Sequence, residues 1–120
     1  MHGSVLGVEQ ERPLEISQLL KGVLDLAVLA VLREGDGYGY EVVRRLRQAG
    51  LDDVGDASVY GTLRRLYKAG LLTSYVVPSE EGPHRKYYSL NELGLRRLVE
   101  SSKTWRGFVA AMNSLLGEAA

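Results

Sequence analysis

The chain of 120 residues contains no cysteine, which excludes disulfides, thiolate chemistry and cysteine-ligated metals. It has two histidines, His2 and His84, far apart and without ligand spacing. No serine has an evident histidine–acid partnership, and no glycine-rich phosphate loop is present. An enzyme is therefore not expected, and neither is a cofactor. Long apolar runs are also missing. The longest, Leu26 to Leu32, is far too short to cross a bilayer. The opening Met1-His2-Gly3-Ser4 lacks the charged-then-apolar order of a signal peptide, so the expectation is a cytoplasmic protein with no membrane role. A net charge of zero argues against a coat protein that covers nucleic acid indiscriminately, which would be strongly basic.

What is present suits one globular domain with a modest core: 45% hydrophobic and 25% charged residues. The charge is unevenly placed. Tyr38 to Leu90 carries eight Lys/Arg against six Asp/Glu, whereas Met1 to Asp36 carries three against six. The excess is small, so any contact with nucleic acid must rest on placed charges rather than on overall field.

Residues 1–16 have no clear period, contain Pro13 and read as a flexible N-terminal arm. Ser17 is the expected N-cap of a first helix reaching about Arg33, apolar on nearly every face through Leu19, Leu20, Val23, Leu24, Leu26, Val28, Leu29, Val31 and Leu32. A chain this small struggles to wrap such a helix, which points to a second subunit. A second helix begins near Gly39, with Tyr40, Val43, Leu46 and Ala49 inward and Arg44, Arg45 and Arg47 outward. Asp56 is the expected N-cap of a third helix that Gly70 ends. At 100° per residue, Val59, Leu63 and Leu66 share its inner face. Ser58, Gly61, Thr62, Arg64, Arg65 and Lys68 fall opposite, with Tyr60 and Tyr67 at the boundary.

Leu71 to Val77 and Arg85 to Leu90 form a hairpin about a six-residue tip, Pro78 to Pro83. Tyr87 and Tyr88 alternate on it, one inward and one outward. Asn91 is a good N-cap for a fourth helix to about Leu116. Its Leu98, Trp105 and Met112 repeat every seven residues, with Phe108/Val109 and Leu115/Leu116 between them and Ser101 and Ser102 interrupting. The expected fold is mainly α with a small β-hairpin: a winged helix-turn-helix over residues 17–90 and a dimerisation helix over 91–120.

A cationic helix followed by a basic two-stranded ribbon offers a helix to the DNA major groove and a wing to the neighbouring backbone. Ser58, Gly61, Thr62 and Arg65 are the expected major-groove readers, with Arg64 and Lys68 on the same face. Arg85 and Lys86 are assigned to the backbone or minor groove. Tyr38 and Tyr60 could each be core packing with a tethered hydroxyl or donors to phosphate, and Tyr40 is assigned to the core. Trp105 is either a seam residue or one wall of an aromatic slot made with its symmetry mate. In the second case Phe108, Val109 and Leu26 line a site for a planar, largely apolar ligand. Asp25, the only acid within the apolar stretch of the first helix, is either paired with a basic neighbour or a polar anchor at the slot's rim. Leu98, Trp105, Met112, Leu115 and Leu116 are the expected dimer contacts.

Five stretches in order resemble the PadR family of bacterial transcriptional regulators. They are Leu20-Lys21-Gly22-Val23-Leu24-Asp25, Gly37-Tyr38-Gly39-Tyr40-Glu41, Ser58 to Leu66, Ala69-Gly70-Leu71-Leu72, and Arg85 to Leu90 followed by Gly94. The resemblance spans about residues 19 to 116 and is to the short subgroup with a single C-terminal helix. It implies a homodimer in which that helix packs on the partner's first helix, and in some members planar drugs between paired tryptophans. A repressor bound to a pseudo-palindromic operator, released when an effector alters the spacing of the recognition helices, is what it implies for function. Gly61 stands where the family often has proline, and Asn91 replaces the usual threonine as a cap. Glu80 and Glu81 put negative charge at the wing tip. Two alternatives remain open on the residues: a winged-helix protein-interaction module, and a small-molecule-binding dimer without DNA contact.

Overall fold

The computed structural model describes residues 14–118. Residues 1–13 of the expected arm lie outside this range, and Ile16 already belongs to the first helix. Along the chain run α1 (Ile16–Glu34), β1 (Gly37–Tyr38), α2 (Gly39–Gln48), α3 (Asp56–Lys68), β2 (Leu72–Val77), β3 (Arg85–Leu90) and α4 (Glu92–Leu115). Among the described residues the architecture is four helices and a small three-stranded antiparallel sheet. None of the helices in the described residues is long and apolar enough to cross a membrane.

Two helix starts differ from the sequence expectation. α1 begins at Ile16 with Glu15, not Ser17, at the N-cap, where the Glu15 N–H donates to Gln18 Oε1 at 3.0 Å. α3 has Gly55 at its N-cap, and Asp56 is its first residue, drawn away by Arg47. The fourth helix starts as expected. Asn91 Oδ1 accepts from the Gly94 N–H at 2.8 Å, while its amide donates to the Gly70 carbonyl at 2.8 Å, so one side chain caps α4 and ties it to the end of α3. That end is set by Gly70, whose φ of +82° a side chain would resist.

The sheet order is β1-β3-β2. Two-residue β1 is an addition to the expected hairpin and pairs Gly37 with Tyr88 and Tyr38 with Tyr87. β2 pairs Leu72 through Val77 with Leu90 through Arg85, leaving residues 78–84 as the tip. This register lines Tyr38, Tyr87 and Tyr75 side by side on one face, with ring centroids 5.3 and 5.5 Å apart. Tyr88 turns the other way into the core and Tyr87 is half-buried.

The core joins Val28, Leu29 and Leu32 of α1, Val42, Val43 and Leu46 of α2, and Val59, Leu63 and Leu66 of α3 to Leu71, Leu72 and Tyr88. Each such aliphatic contributes about 1.5–3 kcal/mol by leaving water. Leu98, expected at a subunit seam, is 2% exposed and belongs to this core. Gly94 lets α4 sit on the wing, since a methyl group there would run into the Leu71 carbonyl oxygen. Beyond Leu98, α4 leaves the core, and Trp105, Phe108, Met112, Leu115 and Leu116 are exposed. α1 is buried on one side only, with Leu19 exposed and Val23, Leu24 and Leu26 half-buried.

Three more assignments change. Thr62, placed outward, is buried, because it flanks the Val59–Leu63–Leu66 face and its hydroxyl is satisfied by donating to the Ser58 carbonyl at 2.8 Å. Tyr40, placed in the core, is 58% exposed. Val42 supplies the contact instead, which puts Tyr40 roughly 110° from the centre of the buried arc. Ala49 is also exposed, at the C-cap of α2.

Candidate nucleic-acid interface

α2, the turn through residues 49–55, and α3 form a helix-turn-helix held by arginines that the sequence places outward. Arg47 donates to the Val54 carbonyl through Nε at 3.3 Å and Nη2 at 2.9 Å, and Nη2 also reaches Asp56 Oδ1 at 2.9 Å. That fork spans the turn and fixes the start of α3 against α2. Arg45, half-buried, donates to the carbonyls of Gly35 and Asp36, each at 2.8 Å, and so pins the α1–β1 corner. Asp36 in turn accepts from the Tyr75 hydroxyl at 2.7 Å, which raises the phenol's pKa and ties the outer wing strand to the same corner. The wing, α1 and α2 therefore meet at one bonded point.

Between α3 and the wing lies a cleft of about 450 Å³. Tyr38, Tyr60, Arg64, Arg85 and Lys86, all singled out from the sequence, line it together. Tyr40 and His84 line it as well and were not anticipated. The signal for Tyr40 was its offset from the Val42–Val43–Leu46 arc. His84 carried none, because its place depends on the hairpin register. Among the described residues, no ion pair engages Arg64, Lys68, Arg85 or Lys86. Aromatic faces hold the wing cations: the Arg85 guanidinium lies 4.8 Å from the Tyr38 ring centroid, and Lys86 Nζ lies 5.0 Å from that of Tyr67 and 5.5 Å from that of Tyr88. Such contacts orient a cation without neutralising it. A surface of unpaired cations at a helix face and a ribbon suits a polyanionic partner.

Ser58 and Lys68 are exposed on α3 without lining this cleft, Ser58 instead facing Leu20, Lys21 and Leu24 of α1, and Gly61 is half-exposed with the Arg64 guanidinium 3.9 Å from where a side chain would begin. Arg65 is elsewhere. Its Nη1 donates to Asp25 Oδ2 at 2.7 Å, and the carboxylate's hydrogen bond and charge raise the guanidinium's pKa. Asp25 is thus paired with a basic neighbour. It also lines a groove of about 460 Å³ between α1 and α4, together with Leu26, Leu66, Arg97, Trp105 and Phe108. The first possibility raised for Asp25, a basic partner, is the one the structure shows. Val109, the remaining expected lining residue, is half-buried and does not line this groove. The Trp105 and Phe108 rings lie 6.0 Å apart at 38°.

The family model described as Transcriptional regulator PadR-like family matches residues 28–100. A PadR-like transcriptional regulator of Bacillus cereus is 34% identical and superposes with a TM-score of 0.74, over 85% of this chain and 99% of that one. A PadR family regulator of Eggerthella lenta is also 34% identical, with a TM-score of 0.76 over 84% of this chain and 88% of its own. Bacillus subtilis PadR, in a structure with operator DNA, shares the fold at 24% identity and a TM-score of 0.60, over 65% of this chain and 45% of that one. With more than half of its length matched by the family model, and relatives of this identity across nearly their whole length, the chain belongs to the PadR-like family of transcriptional regulators, which are not enzymes.

Proposed function

We propose that the protein is a homodimeric, sequence-specific DNA-binding regulator, each subunit supplying α3 to a major groove and the β2–β3 wing to the adjoining backbone. The observation that carries this reading is the cleft in which Arg64, Arg85 and Lys86 converge with no ion pair among the described residues. Phosphate contacts from these cations supply affinity, and Ser58 and Gly61 are the surfaces small enough for close approach to base edges. Thr62 is buried and drops out of that set. Residues 17–90 act as the DNA-binding unit and 91–120 as the dimerisation helix. Support for the dimer comes from the apolar stripe of Trp105, Phe108, Met112, Leu115 and Leu116, exposed on a helix that has left the core. The partly exposed side of α1 is the surface such a stripe fits.

The groove between α1 and α4 is the effector site of this reading, and its occupant alters the separation of the two recognition helices. Repression is the sign that the family resemblance suggests. Selection from a pool of random duplexes tests the proposal. Enriched sequences should show pseudo-twofold symmetry with half-sites about ten base pairs apart, or a multiple of that. Enrichment of no sequence over the starting pool would leave a protein-interaction module as the better account.

A further inference from the structure

Arg65 sits at the edge of the recognition face yet points away from it. At 100° per residue it lies roughly 70° round α3 from the centre of the Gly61, Arg64 and Lys68 face, within reach of that face for a side chain of its length. Instead its fork is closed on Asp25 Oδ2 at 2.7 Å and Thr62 Oγ1 at 3.3 Å. The pair crosses from α3 to α1 and is open to solvent, with side-chain exposures of 59% and 50%. An ion pair that exposed is weak. It is not what holds α3, because Val59, Leu63 and Leu66 already seat that helix in the core. The same guanidinium fork fits a phosphate as well as it fits a carboxylate. On the other side, the Asp25 carboxylate forms part of the groove wall beside Trp105, Phe108 and Leu66.

We propose that Asp25 and DNA compete for Arg65, so that a cationic aromatic ligand taking Asp25 from inside the groove strengthens DNA binding. This rests on the DNA-binding reading above. In the free protein Asp25 holds Arg65 back. When DNA takes the guanidinium, the carboxylate is left without its partner in the wall of an aromatic groove, where a planar cation fits. Linkage makes the effect reciprocal: whatever raises the cation's affinity when DNA is bound raises DNA affinity when the cation is bound. Arg97 lines the same groove and disfavours a second positive charge, which selects monocations. For such ligands the sign is opposite to that of an inducer.

The test is a double-mutant cycle on the full chain, reading anisotropy of a selected duplex at constant salt. Asp25→Asn, close in shape, should bind about twofold to thirtyfold more tightly than the parent, the factor that two exposed pairs, one in each subunit, are worth. Asp25→Ser should shift in the same direction. Arg65→Gln should bind more weakly, and adding Asp25→Asn to it should change nothing further. Benzamidine, a planar monocation, should tighten parent binding at fixed chloride and leave Asp25→Asn unaffected. The inference is overturned if Asp25→Asn binds no more tightly, which makes the pair a brace. It also falls if Asp25→Asn acts equally with and without Arg65, a mere field effect, or if benzamidine weakens the parent. Absence of DNA binding by the parent itself removes the DNA-binding reading, and this inference with it.

Discussion

Gly94 and Gly107 occupy the same helix, and the fold predicts opposite responses to the same substitution. At Gly94 an added methyl group would run into the Leu71 carbonyl oxygen and come within 2.6 Å of Leu90 Cδ1. The first obstacle is backbone. It is held there because the Asn91 N–H donates to that carbonyl and the Asn91 side chain fixes the neighbouring Gly70 carbonyl. Relief therefore requires α4 to lift from the wing. Overpacking of this kind costs about 1–3 kcal/mol, offset in part by the roughly 1 kcal/mol that alanine gains over glycine in a helix. At Gly107 a methyl group meets nothing within 4 Å, so only the gain remains, about 0.5–1 kcal/mol. For a domain of this size the two shifts correspond to a melting temperature lowered by up to roughly 15 °C for Gly94→Ala and raised by roughly 2–8 °C for Gly107→Ala. Thermal denaturation followed by circular dichroism at one protomer concentration reads both, a fixed concentration being needed because assembly contributes to stability. If Gly94→Ala gains stability as Gly107→Ala does, the close seat of α4 on the Leu71 carbonyl is wrong.

Three further outcomes follow from the placement of single residues. Tyr40→Ala should weaken DNA binding while changing stability by less than about 1 kcal/mol, because the ring is 58% exposed; a loss of about 3–5 kcal/mol in chemical denaturation would return Tyr40 to the core. Deletion from Lys103 onward keeps Gly94 and Leu98 in their buried seats but removes the apolar stripe, so sedimentation should show a monomeric or aggregating protein with lost DNA affinity. A well-folded monomer for the full chain would overturn the proposed assembly. Trp105 is the sole tryptophan, so a planar ligand entering the groove should quench the emission, and Trp105→Ala should abolish that binding. No quenching by any planar aromatic would reduce Trp105 to a seam residue.

Much of the fold was legible because it rests on periodicity. The Val59, Leu63 and Leu66 spacing announces the inner face of α3, and the β-branched run before Pro78 announces the wing. Asn91 is a cap by chemistry alone. The losses share a different cause. β1 is two residues long and has no period; it exists only because Gly37 and Tyr38 meet Tyr88 and Tyr87, about fifty positions later. Thr62 flanks a buried face, and the wheel does not say how far the neighbouring helices overlap it. Arg45, Arg47 and Arg65 all read as solvent-facing cations, yet each is engaged by groups seven to forty positions away. The cleft gathers residues from β1, α2, α3 and β3 and the end of the hairpin loop, so most of its members could be named one by one from the sequence, but its shape, and the presence of Tyr40 and His84 in it, follow from the packing.

The salt dependence of binding to a selected duplex tests the central claim most directly. Arg64, Lys68, Arg85 and Lys86 supply four unpaired cations per subunit among the described residues, eight in a dimer. If between half and nearly all of them meet phosphates, log K should fall against log salt with a slope of about −4 to −7. Lys86→Ala, removing one contact per subunit, should flatten that slope by about 2 and weaken binding to all sequences alike. A slope near zero, or one that Lys86→Ala leaves unchanged, would contradict a DNA interface formed by α3 and the wing.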